Sequence, residues 1–118
     1  MSNPTVSPAA THLLEWVALL LTPGLGPTKA RKLVEHFGSA ERVISASLTN
    51  LESTGIQAVS AQSLATGKSC ELAREEIARA SDAGVSLVSL DDPLYPPRLK
   101  EIYDPPLILY VQIGRAHV

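Results

Sequence analysis

From Thr11 to Leu21 the chain is helical in pattern and apolar on nearly every side, broken by Glu15. A helix apolar all round belongs in the middle of a bundle, and Pro23 should end it. A second pattern follows from about Pro27 to Phe37. There Ala30, Leu33, Val34 and Phe37 recur at i, i+3, i+4 and i+7, which makes one apolar face. Lys29, Arg31, Lys32, Glu35 and His36 point elsewhere. Pro27 suits a first helical position, where a missing N–H costs no hydrogen bond. Gly38 is a natural stop, and Ser39 can cap a short helix through Val43 and Ile44. Thr49-Asn50-Leu51-Glu52 has the spacing of a capping box. Beyond Gly55 and Ile56, one long helical stretch is expected from about Ser60 to Ala83. Gly67 would weaken it by about 1 kcal/mol relative to alanine if it lay inside.

After Gly84 the period changes. Val85 to Leu90 reads as a strand, Asp91-Asp92-Pro93 as a turn, and Leu107 to Val111 as a second, buried strand entered through Asp104-Pro105-Pro106. Pro96 and Pro97 fix φ and deny hydrogen bonds, so they punctuate the chain between the strands. Tyr95 and Leu99 are placed to pack this crossing onto the sheet. The fold class expected is a mainly α N-terminal helical bundle, residues 11–83, followed over 84–112 by the first strands of an α/β domain. Residues 1–10 read as a disordered lead-in. The tail Ile113-Gly114-Arg115-Ala116-His117-Val118 is what a common sequencing-adapter oligonucleotide encodes in one frame. It is expected to be read-through on a truncated gene fragment, with Gln112 at its margin.

Composition narrows the function. Hydrophobic residues make up 45% of the 118, but aromatics only 4%, so the core must be mainly aliphatic. The formal net charge of −2 means that any nucleic-acid contact must come from a local patch. Cys70 is the only cysteine, which excludes an internal disulfide and a cysteine-rich zinc site. The first residues lack the basic start and apolar core of a signal peptide. The longest apolar run, Trp16 to Leu21, is far short of the roughly 20 residues of a membrane span. A soluble cytoplasmic protein without membrane association is expected.

Two phosphate-loop look-alikes fail. Thr66-Gly67-Lys68-Ser69 ends like a P-loop, but Gln62 stands where the first glycine is needed and no strand precedes it. Gly24-Leu25-Gly26 has Lys29 in place of the third glycine of a dinucleotide fingerprint. His12, His36 and His117 have no metal-ligand spacing. No serine sits in a nucleophile elbow with a matched histidine. No catalytic residue, metal or cofactor is expected, and the chain is not read as an enzyme.

Pro23-Gly24-Leu25-Gly26-Pro27 is different. Glycines take positive φ and allow close backbone approach. The helix N-terminus that follows presents N–H groups with partial positive charge. Lys29, Arg31 and Lys32 add cations. Gly24, Leu25, Gly26, Thr28, Lys29, Arg31 and Lys32 are therefore the candidate DNA-binding residues, through phosphates and without regard to sequence. Helix, Pro-Gly-Leu-Gly-Pro, helix, then Phe37-Gly38-Ser39, resembles a helix-hairpin-helix motif. Leu51 to Gln57 looks like a second, degenerate copy, with Gln57 at its second glycine position.

The proline-rich blocks extend the likeness. Asp91 to Leu99 contains Tyr95-Pro96-Pro97-Arg98-Leu99, and Asp104-Pro105-Pro106-Leu107-Ile108-Leu109-Tyr110 follows. Together with the hairpin they resemble the DprA/Smf family (DNA-processing protein A) over about residues 11–111. Tyr95, Pro96, Leu99, Asp104, Pro105, Pro106, Leu109 and Tyr110 match its signature and read as scaffold. The resemblance implies a helix-hairpin-helix or SAM-like unit ahead of a Rossmann-like domain. It implies binding and protection of single-stranded DNA in natural transformation, and loading of a RecA-type recombinase. A homodimer fits it as well. The family's main DNA pocket lies beyond the strand at Leu107–Val111. Two other readings fit the same residues: a self-association or partner-docking module with a purely structural hairpin, and the helix-hairpin-helix unit of a DNA-repair enzyme.

Overall fold

The first helix, α1 (Leu13–Leu20), is the axle of the molecule. Four consecutive residues, Trp16, Val17, Ala18 and Leu19, are buried, as only a helix covered on several sides can arrange. It packs against α2 (Gly26–Phe37), α3 (Ala40–Ser45), α6 (Lys68–Asp82) and both strands, β1 (Val85–Ser89) and β2 (Ile108–Gln112). The remaining helices are α4 (Leu48–Glu52), α5 (Ala58–Ala65) and the single turn α7 (Pro97–Lys100). This computed structural model describes residues 12–112. The lead-in expected at 1–10 and the tail at 113–118 lie outside them.

Helix α2 forms as its pattern predicts. Ala30 and Leu33 are buried, and Val34 and Phe37 pack on the same core. The helix starts one residue before Pro27, and Gly38 ends it in the left-handed conformation, at φ +103°. Ser39 caps α3 by accepting a hydrogen bond from the Arg42 amide at 3.1 Å.

Two expectations about the middle of the chain are corrected. The cap of α4 is Ser47, whose Oγ accepts from the Asn50 amide at 3.1 Å. Thr49 and Glu52 lie inside that helix, so the capping-box spacing there is fortuitous. The expected single helix over 60–83 is two helices, α5 and α6, broken at Gly67, which takes φ +85°. The break serves burial. Ser63, Ser69 and Thr22 form a buried chain of hydroxyls, Ser63 to Ser69 at 2.7 Å and Ser69 to Thr22 at 2.8 Å. Thr22 closes the chain on the Ala18 carbonyl at 2.6 Å. Every hydroxyl in the chain has a partner, so its burial is tolerated.

The sheet has two antiparallel strands, with Val85 opposite Gln112, Leu87 opposite Tyr110 and Ser89 opposite Ile108. The second strand is not buried along its length as expected. Leu107 and Ile108 enter the core, while Tyr110 and Val111 are about half exposed. Exposure rises along β2 from the buried Ile108 to the exposed Gln112, so only the start of the strand is covered. Leu107 and Ile108 belong to the same hydrophobic cluster as Trp16, Leu19 and Leu33. The core therefore runs across the boundary expected at 83/84. None of the described helices is long and apolar enough to cross a membrane.

Candidate nucleic-acid interface

The glycine-rich turn between α1 and α2 needs both its glycines. Gly24 and Gly26 stand at φ +76° and +77°, where a side chain is strained. The turn is also crowded at Gly24, where a Cβ would come within 2.6 Å of the Gln57 Oε1. The buried Ser60 fixes the same turn from α5 by donating its hydroxyl to the Pro23 carbonyl at 2.6 Å.

The turn within Leu51–Gln57, expected as a second, degenerate copy, is thus seated beside the first turn. Its helices are α4 and α5, joined by a turn in which Gly55 takes φ +88°. Gln57, at its second glycine position, has φ −62° and starts α5 in extended backbone. Helix α2 and the second turn share one groove of about 400 Å³, lined by Lys29, Lys32, Leu33 and His36 from α2 and by Thr54, Gly55 and Ile56 from the turn. Lys29, Lys32 and His36 fall at i, i+3 and i+7, so one face of α2 carries all three. Among the described residues no acidic side chain lines the groove, although the chain as a whole is net negative. Lys29, Lys32 and His36 are exposed, so their side-chain nitrogens are open to solvent.

The candidate residues divide here. Gly24, Gly26, Lys29 and Lys32 are exposed. Leu25 is buried at 4% exposure, and its amide donates to the Thr22 carbonyl at 3.3 Å. Leu25 is a core residue, and its N–H is already used. Thr28 and Arg31 face the second proline block. The Thr28 hydroxyl donates to Asp104 Oδ1 at 2.9 Å, and Arg31 Nη1 donates to the same oxygen at 2.9 Å. Arg31 also donates to the Pro105 carbonyl at 3.1 Å and the Tyr103 carbonyl at 3.4 Å. The hydrogen bond from Arg31, then that from Thr28, holds the Asp104 carboxyl below the usual carboxylate range.

The residues of the two proline-rich blocks differ in burial. Tyr95 is 2% exposed, and its hydroxyl donates to the Pro106 carbonyl at 2.8 Å, tying the two blocks together. Burial pushes its phenol pKa up. Pro105 is buried, Leu99 and Leu109 are half-buried, and Pro96 is exposed. Tyr110 donates to Glu76 Oε2 on α6 at 2.7 Å. Charge spacing carries no sign of Asp104 as a partner for Arg31, because 73 residues separate them. His36 was also not anticipated in the groove. Its i+7 spacing from Lys29 was the available signal. No protein-family model, curated protein or solved structure matches this chain.

Proposed function

We propose that this is a DNA-handling protein of the DprA/Smf kind, whose α2 groove contacts the phosphate backbone of single-stranded DNA without reading its sequence. The observation that carries the reading is the groove itself. Two lysines and a histidine line it with no acid among them, in a chain of net charge −2. Flexible ammonium groups beside an exposed glycine turn make an electrostatic contact, with affinity set by charge and little dependence on base identity. The paired helix–turn–helix units, α1–α2 and α4–α5, support a helix-hairpin-helix or SAM-like assignment. The Tyr95 and Asp104 blocks, joined by the Tyr95–Pro106 hydrogen bond, are consistent with the family signature. On that resemblance the strands would open a Rossmann-like domain, and the intact protein would protect incoming strands and load a RecA-type recombinase.

The test is charge reversal at the free lysines. Lys29→Glu/Lys32→Glu is expected to weaken binding to a fluorescein-labelled single-stranded oligonucleotide by at least tenfold, about 1.4 kcal/mol, with unchanged helicity. Retained affinity in a folded double variant would refute the proposal. Arg31 is left in place, because reversing it would break the clamp to Asp104 and confound binding with folding.

A further inference from the structure

We infer that Asp104 is an internal stand-in for a backbone phosphate. It occupies the Thr28–Arg31 part of the interface, which a nucleic-acid strand can use only by displacing it. The inference rests on the nucleic-acid reading above and adds a competitor to it. One carboxylate oxygen takes both the Thr28 hydroxyl and the Arg31 guanidinium at 2.9 Å. An anionic oxygen accepting from a hydroxyl and a guanidinium is the pattern a phosphate oxygen makes with the same groups. Thr28 and Arg31 share the helix with Lys29 and Lys32, which line the groove.

The segment that carries Asp104 is open to solvent, so its displacement uncovers little core. Residues 101–104 are all exposed, Tyr103 at 94% and Ile102 at 49%. A cleft of about 530 Å³ lies beside the segment, with Trp16, Arg31, Lys100 and Tyr103 among its lining residues. Pro105, by contrast, is buried, so a hinge on the Asp104 side of it leaves β2 in place. On this inference Arg31 has two states. In one it is clamped to Asp104 and the carbonyls of Tyr103 and Pro105. In the other the loop is displaced and Arg31 faces a phosphate. A strand must overcome the clamp to gain the extra contact, so the clamp lowers affinity in the resting protein.

Asp104→Asn tests this with the same labelled oligonucleotide. It keeps the shape and removes the charge. The expected result is about fivefold tighter binding and a log Kd against log salt slope steeper by about 0.7, one more phosphate on a single strand. Unchanged or weaker binding in the folded variant overturns the inference. If binding survives in Asp104→Asn at the unmodified value and is lost in Lys29→Glu/Lys32→Glu, the stand-in fails while the groove reading stands. If no form of the chain binds, both fail. Should Asp104→Asn not fold, the unmodified chain provides a second readout. The Asp104 side-chain carboxyl carbon signal in NMR is expected to shift when the oligonucleotide is added, and an unmoved signal in the bound state overturns the inference.

Discussion

Tyr110 is a residue whose surroundings invert what its exposure suggests. It is 48% exposed on an outer strand, yet its hydroxyl meets the Glu76 carboxylate across to α6. Desolvation, then the hydrogen bond to Glu76, pushes its pKa up to about 12. Because the folded value lies above the ordinary 10.0, this contact stabilises the fold at neutral pH and is lost as pH rises from about 10 through 12. A phenolate absorbance titration should therefore show late components from Tyr95 and Tyr110, and Tyr110→Phe should remove one of them. A titration that is complete near pH 10 would contradict the contact. Tyr95 was legible as scaffold because a tyrosine between proline-rich turns has few other uses. Its acceptor, the Pro106 carbonyl, was not legible, since main-chain carbonyls have no identity in a sequence. Thr28 and Arg31 illustrate the same gap. Their residue types suit a phosphate, and only three dimensions reveal that Asp104 reaches them first.

At the scale of elements, α1 and α2 are legible in the sequence, because α1 is apolar on nearly every side and α2 has one apolar stripe. Between residues 47 and 83 the helices are short and the apolar positions sparse, so local signals competed. Ser47 and Thr49 are both plausible caps, and burial of Leu51 decides for the frame that Ser47 opens. Gly67 carries the sharper lesson. Inside a helix, replacing it with alanine would stabilise the protein by about 1 kcal/mol. At φ +85° the sign reverses, and Gly67→Ala should destabilise by about 1–2 kcal/mol. Urea denaturation measures this directly, and a stabilised Gly67→Ala would restore the single long helix. The strands were located to within a residue. The half-exposed end of β2 was missed because Leu-Ile-Leu-Tyr-Val is apolar throughout, and periodicity cannot say which face of such a run is covered.

For the whole molecule, the informative fact is how charge is distributed. A chain of net charge −2 places Lys29, Lys32 and His36 along one groove and neutralises Arg31 internally through Asp104. The hairpin and the two proline-rich blocks, separate in sequence, form one connected structure through Arg31–Asp104 and Tyr95–Pro106. That connection leaves Lys29 and Lys32, and not Arg31, open for the proposed DNA contact.

The most direct test of the central claim is the salt dependence of binding by the unmodified chain to a mixed-sequence single-stranded oligonucleotide. Two lysine–phosphate contacts predict a plot of log association constant against log salt with a slope of about −1.4 or steeper, and the same slope for oligonucleotides of different sequence. A flat plot, or affinity that tracks sequence and not salt, would contradict the account.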